Sequence, residues 1–310
     1  ERLADKAARE LCMDRAEIRR RNLIPPEAMP YKTPIGPIYD CGNFPQIMER
    51  TLKISDYENF ESRRVSAEKE GRLRGIGIAN YIDSSGVAPS RLAGAAGGRL
   101  GLFESAQVRV NSDSGIQIFL GTHNHGQAHE TTFAQIVSDR LGVPIDRIDV
   151  LEGDTAMVPA GTGTFGSRSI AVGGSALVRA IDRIIAKSKR IAAHLLEAAD
   201  EDVKFRDGVF TVTGTDRTLS FKEVAHTALV PHNFPHEELE PGLDETSVYD
   251  PPNFAFSNGT HVCEIEIDPE TGTVELMDYW VVDDVGTVIN PMVVEGQIHG
   301  GLAQGIGQAL

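Results

Sequence analysis

Residues 121–132 read GTHNHGQAHETT, with three histidines, two glycines and a glutamine in twelve positions. Residue types like these support two chemistries. His123 and His125 would share one face of a strand, and His129 could complete a three-nitrogen metal set. A catalytic zinc needs three such ligands, an open position and carboxylates behind them. Glu130 adjoins His129 but is out of phase with it, and the helical H-E-x-x-H pattern is absent. A zinc-dependent hydrolase on His123, His125 and His129 therefore stands as the alternative. The second chemistry is anion binding. A strand gives way to a helix at a Gly126–Gln127 corner, so the first-turn N–H groups of the helix point outward. Such a terminus contributes about 0.3–1 kcal/mol toward an anion. Gln127 adds a neutral donor and acceptor, and Thr131 a hydroxyl. Taken alone, the stretch could equally be a well-capped turn.

Two further corners repeat the design. GTGTFGSRS (161–169) combines small residues and hydroxyls with Arg168, whose fork matches a phosphate. Its spacing fits neither a P-loop nor a dinucleotide fingerprint. The third corner, VDDVGTVINPMVVEGQIHGG, carries Asp284, Asn290, Pro291 suited to a helix's first position, and Gln297. Glycines 296, 300, 301, 305 and 307 cost an ordinary helix about 0.8–1 kcal/mol each, which implies something bulky against that helix. Three such corners suggest one elongated polyanionic ligand held at several points. Asp283 and Asp284 are strand neighbours facing opposite ways, so they do not form an acid–base dyad. Asp284 suits an acceptor role toward the ligand or a turn. His299 is expected to pack or face solvent, and Tyr279 and Trp280 to serve as edge and core of a hairpin.

The elements that must position these residues follow from periodicity. Helix is expected over 1–24, restarting at an Asp14/Glu17 capping box, and again over 45–70 after a proline-rich connector. The stretch 86–101 is rich in glycine and alanine and reads as a mobile loop. AQVRV and IQIFL form a hairpin leading into the first corner, and the helix after it ends at Gly142 and Pro144. RIDVLEGD is a strand, and a long helix covers 171–199. KFRDGVFTV is a hairpin around Asp207–Gly208, and Ser220 with Glu223 opens a short helix. The acidic, proline-punctuated stretch 237–253 reads as a lid or crossing segment. HVCEIEID and VELMDYWVV form a long hairpin. The class is α+β, with mixed sheets and flanking helices. The expected divisions are a helical lead-in and connector (1–70), a first part of the binding domain (71–236) and a second part, truncated at its C-terminus (237–310).

The net charge of −15 and pI near 5.0 argue against a nucleic-acid partner, which demands a basic face. Any anion must then be held by local dipoles and N–H groups against the overall field. Cys12, Cys41 and Cys263 are far apart and read as reduced thiols of a cytoplasmic protein. No run reaches the roughly 18 apolar residues of a membrane span, and no signal peptide is visible. The chain begins in a helical pattern without an initiator methionine and stops inside another, so it reads as part of something larger.

The three corners, together with ERLADKAARELCMDRAEIRRRNLIP and YDCGNF, resemble the molybdenum-cofactor-binding half of the xanthine dehydrogenase/aldehyde oxidase superfamily. The resemblance is to the large subunits of carbon monoxide dehydrogenase and their relatives, and it covers essentially the whole chain. It implies the C-terminal molybdopterin-binding half of a molybdenum hydroxylase large subunit. Such an enzyme hydroxylates a carbon centre with oxygen from water, or oxidises carbon monoxide, an aldehyde or an N-heterocycle. The cofactor would be a molybdopterin, in its cytosine dinucleotide form. Implied partners are the rest of the large subunit, an iron–sulfur small subunit and an FAD-bearing medium subunit, assembled as a dimer of heterotrimers. Carried over by motif, the cofactor contacts are Gln127, Ala128, His129 and Thr131; Phe165, Gly166, Ser167, Arg168 and Ser169; and Asp284, Asn290 and Gln297. The family's substrate-selecting loop and catalytic glutamate fall outside these residues, so no catalytic residue is assigned and the chain alone is expected to be inactive. One departure stands out. Where the family carries a second glycine after Gln127, this chain has Ala128, which strains the loop if a positive φ is required there. A scaffold that keeps the fold and has lost the cofactor is a further alternative.

Overall fold

The computed structural model describes residues 1–87 and 89–310. Its helices are α1 (Arg2–Glu10), α2 (Arg15–Arg20), α3 (Phe44–Ile54), α4 (Phe60–Lys69), α5 (Ser90–Ala95), α6 (His129–Leu141), α7 (Ser175–Leu195), α8 (Phe221–Leu229) and α9 (Pro291–Ala309). The strands are β1 (Tyr31–Lys32), β2 (Ile38–Tyr39), β3 (Leu73–Ile82), β4 (Glu104–Val110), β5 (Ile116–Leu120), β6 (Ile148–Glu152), β7 (Val203–Arg206), β8 (Val209–Val212), β9 (Thr218–Ser220), β10 (Glu245–Tyr249), β11 (Asn258–Ile267) and β12 (Val274–Asp284). No helix among the described residues is long and apolar enough to cross a membrane.

The chain divides into two compact units. One comprises residues 1–84, 255–288 and 300–310, the other residues 85–254 and 289–299. These units cut across the sequential divisions expected at residues 70 and 236. The physical reason is strand pairing: β3 lies antiparallel on β11 along its whole length, which draws an early segment and a late one into one sheet of order β12-β11-β3. Met48, Leu52, Ile76, Ile78 and Val262 form the core of this first unit, and Trp280 packs against it as the hairpin reading required.

The second unit carries a sheet of order β10-β4-β5-β6. The β4–β5 hairpin is antiparallel, whereas β5 and β6 pair in parallel. A parallel pair needs a crossover, and α6 supplies it. Phe133, Ile136, Val137 and Leu141 of α6 are buried together with Val108, Ile118 and Leu120 of the sheet and Leu177, Ile181 and Ile184 of α7. Gly142 ends α6 in the left-handed region, at φ +66°, as a helix C-terminus favours. The Asp207–Gly208 turn has positive φ at both residues, the pattern of a type I′ hairpin. Ser220 and Glu223 form the reciprocal capping box at α8.

Three expectations are corrected. Helix does not run unbroken from 45 to 70, because Asp56 adopts φ +48° between α3 and α4. The stretch 86–101 holds α5, whose Ser90 is anchored by Asp250 and Leu102; Ala88 lies outside the described residues. The acidic stretch 237–253 contains β10, paired with β4 from Glu245↔Val108 to Tyr249↔Glu104. Its strand conformation comes from a long-range partner that local composition does not announce.

Candidate functional site

The first corner leaves the carboxyl end of β5 at Leu120, the central strand between β4 and β6. The second corner, residues 161–169, returns to the same place. Gly121 and Gly161 run backbone to backbone: a Cβ on Gly121 would lie 2.5 Å from the Cα of Gly161 and closer still to the carbonyl of Ala160. No side chain fits at either position. Gly163 N–H donates to Gly121 O at 3.1 Å, and His123 N–H to Thr164 Oγ1 at 2.9 Å. Thr164 in turn pairs with Ser169 at 2.9 Å between hydroxyls. Two stretches separated along the sequence therefore form one surface.

Two buried carboxylates at strand ends support that surface from beneath. Glu152, the last residue of β6, accepts from Thr122 and lies 3.1 Å from Nδ1 of His129. His129 is 3% exposed and edge-on to Phe133, so its imidazole belongs to the interior while its backbone opens α6. Glu104, the first residue of β4, is fully buried and paired with Arg168. Sequence reasoning missed both acids, along with Thr122, Thr162 and Thr164. The available signal was a charge inside or ending an otherwise apolar strand, which burial tolerates only with a partner.

Among the described residues, several backbone N–H groups of this surface have no backbone acceptor. Ala128, at φ +61° and ψ +40°, precedes α6 and offers no side-chain cap, so the first-turn N–H groups of His129 and Thr131 remain to be satisfied. Gly166 and Ser167 follow one another at φ +52° and +54°, and among the described residues the N–H groups of Phe165, Gly166 and Ser167 donate to no backbone carbonyl. Consecutive N–H groups turned outward make an anion-binding concavity. A Cβ at Gly166 would lie 2.6 Å from Val87 Cγ2, so that residue is tied to its shape from behind. Glu130 lies in the same first turn, and its hydrogen bond from Asn124 holds its carboxyl below the ordinary range. The donor set is neutral and suits a phosphate-bearing group.

Side-chain placement differs in part from expectation. Arg168 is fully buried and turned away from the surface, so its guanidinium is not the phosphate fork the sequence suggested. Gln127 folds onto its own loop, its Oε1 accepting from His125 N–H and its Nε2 reaching His123 O at 3.4 Å. Asn290 joins the same unit, donating to Gln135 of α6 at 2.9 Å and capping Val293 N–H at 3.2 Å. Gln297 and His299 are exposed on α9. Asp284 belongs to the other unit, where its Oδ1 accepts from Gly286 N–H at 2.9 Å in a turn. Its neighbour Asp283 faces the opposite way, 3.5 Å from His261 Nε2. The zinc alternative loses its geometry. His123 and His125 lie 4.7 Å apart between ring centroids, but His129 is committed to Glu152. Among the described residues no three His, Cys, Asp or Glu side chains converge as metal ligands would.

Comparison with known proteins gives the family and the fold. The chain is 39% identical over its whole length to the carbon monoxide dehydrogenase large chain of Hydrogenophaga pseudoflava, covering 38% of that protein. It is 36% identical, again over its whole length and 38% of the relative, to the nicotine 6-hydroxylase large subunit of Paenarthrobacter nicotinovorans. Among solved structures, quinoline 2-oxidoreductase from Pseudomonas putida 86 superposes with a TM-score of 0.92 at 34% identity, over 99% of this chain and 39% of that one. A Cu,Mo-CO dehydrogenase superposes at 0.91 with 38% identity, over 97% of this chain and 38% of that one. The chain thus spans about two-fifths of the length of these relatives. The family model described as "Molybdopterin cofactor-binding domain" matches residues 50–310, and the chain belongs to that family.

Proposed function

We propose that this chain is the molybdopterin-holding part of a molybdenum-dependent oxidoreductase large subunit acting on a small substrate of the aldehyde, N-heterocycle or carbon monoxide class. The observation that carries the reading is the joined surface of residues 121–131 and 161–169, where, among the described residues, N–H groups of two loops have no backbone acceptor and glycine meets glycine. When bound, the cofactor supplies the two-electron redox centre at which the carbon centre is oxidised. The residues of this chain do the holding. The N–H groups of His129 and Thr131 and those of Phe165 to Ser167 would donate to the cofactor's phosphates, with the Thr131 hydroxyl available beside them. Ala128 and Gly166 fix the two backbone reversals. Ser169 steadies the second loop through Thr164, Asn290 ties the start of α9 to α6, and Gln127, Gln297 and Asp284 are carried as further contacts by motif.

The presence of two donor sets favours the cytosine dinucleotide form, whose diphosphate offers two anionic groups. The relatives' large-subunit names support a multi-subunit assembly, and the proposed partners are an iron–sulfur small subunit and an FAD medium subunit that take electrons away, as a dimer of heterotrimers. The free cysteines accord with a cytoplasmic location. The test is elemental and nucleotide analysis of the full-length subunit with its partners. Stoichiometric molybdenum with released CMP supports the reading. Zinc without molybdenum refutes it, and neither metal leaves a scaffold.

A further inference from the structure

We infer that Glu104 and Arg168 are a positioning pair: they hold residues 161–169 in the donor-presenting shape from below, and neither meets the ligand. The inference deepens the cofactor-binding reading and rests on it for the ligand's identity alone.

Arg168 is spent in four directions. Its Nε donates to Val87 O, its Nη2 to Leu102 O and its Nη1 to Gly163 O, each at 2.7 Å, and Nη1 also meets Glu104 Oε1. Its guanidinium carbon lies 5.1 Å from the Phe165 ring centroid. Glu104 is as fully buried as Arg168. The same oxygen of Glu104 accepts from the N–H and the hydroxyl of Thr162, both at 2.9 Å. One carboxylate oxygen therefore gathers both ends of the stretch from Thr162 to Arg168, and Gly163 between them is tied to the same guanidinium. The other oxygen has no hydrogen-bond partner among the described residues and occupies the place a Gly121 side chain would need. The pair thus touches both loops.

A phosphate-binding role would require Arg168 to leave Glu104 and three carbonyl acceptors at once, stranding a buried carboxylate whose isolation is costly. The planar fork is what makes the four-way connection, and an ammonium on a flexible stem cannot reproduce it. With the only arginine of the loop turned inward, the outward donors are neutral, and their aim depends on the pair beneath.

The test uses the full-length large subunit with its partners, as parent and as Arg168→Lys, Glu104→Ala and Glu104→Gln. Amide hydrogen exchange is followed after cofactor removal, and molybdenum and pterin per subunit before it. Positioning predicts that Arg168→Lys and Glu104→Ala exchange at least about tenfold faster at the hydrogen-bonded amides of the stretch, Thr162 and Gly163, while α7 amides keep their protection. Cofactor content falls in step, and Glu104→Gln, which keeps an acceptor for Thr162 and Arg168, recovers part of both. Lost cofactor with unchanged exchange in Arg168→Lys would make Arg168 a direct ligand and overturn the inference. Uniformly faster exchange across the whole unit would overturn it too, by reducing the pair to general fold support. Should the two disruptive variants not accumulate, Glu104→Gln decides: local acceleration supports positioning and unchanged exchange refutes it. A parent protein without pterin sinks the cofactor reading, while the exchange comparison still decides the pair.

Discussion

Gly121→Ala perturbs the point where the two loops cross. The new methyl would stand 2.5 Å from Gly161 Cα, whereas ordinary contact begins near 3.4 Å, so the loops must part by about 1 Å. The obstructing atoms are backbone and a buried carboxylate, which cannot swing aside as a flexible side-chain end could. Overpacking of this kind costs about 1–3 kcal/mol. The separation also stretches the bond from Gly163 N–H to Gly121 O, a further loss of about 1 kcal/mol. Together these give a destabilisation of roughly 2–4 kcal/mol, equivalent to about 4–16 °C in melting temperature for a unit of this size. The assay is thermal unfolding of the 310-residue chain, followed by pterin content of the full-length variant. Gly300→Ala on α9 serves as the internal control, since no atom lies within 4 Å of the new methyl and helix propensity favours alanine by about 0.8–1 kcal/mol. The same chemical change is therefore expected to have opposite signs at the two positions. A Gly121→Ala chain melting within about 2 °C of the parent, with full cofactor content, would refute the crossing as described.

Ala128→Gly is expected to stabilise the chain. The left-handed conformation costs a non-glycine residue about 1–2 kcal/mol, glycine's greater freedom when unfolded returns about 0.4–1 kcal/mol, and denaturant midpoints should rise accordingly. His129→Ala empties an interior site and leaves Glu152 without its imidazole neighbour, so a loss of about 3 kcal/mol is expected in chemical denaturation. Ser220→Ala removes a cap worth about 1 kcal/mol at neutral pH. The Ser220 hydroxyl and backbone hold the Glu223 carboxyl below its ordinary value, so its contribution is full above that value and fades as pH falls through the lowered one. The gap between parent and variant should narrow in acid, and acid-titrated unfolding curves would show it.

The three corners were legible because their chemistry is local: glycines, hydroxyls and a helix start lie within a dozen residues of one another. Their joining was not. Gly121 and Gly161 look like two loop glycines until the backbones meet. Glu104 opens ESAQVRV, an alternating strand in which a terminal acid reads as exposed. It is buried because Arg168, 64 residues away, neutralises it. The same distance explains why Arg168 looked like a phosphate ligand: its hydroxyl-rich neighbours are adjacent, while Val87, Leu102 and Glu104 are remote. The strand β10 was hidden for the reverse reason, since acidic residues and prolines flank it and only its pairing with β4 makes it a strand. Hairpins and caps, which depend on neighbours in sequence, were readable directly.

The pairing of β3 with β11 has a consequence for synthesis. Asn80 and Thr260, hydrogen-bonded across these strands, are 180 residues apart. At about 5–20 residues per second on the ribosome, β3 waits roughly 10–40 s for β11, its only strand neighbour among the described residues. During that interval a ten-residue strand carrying Ile76 and Ile78 has an unpaired edge, the kind of template that invites association with other chains. Residues 85–254, by contrast, are nearly continuous and can close around their own sheet as they emerge. The order of synthesis therefore finishes the loop-bearing unit early and leaves β3 without its partner until β11 emerges, making the nascent segment around β3 the natural client for a chaperone.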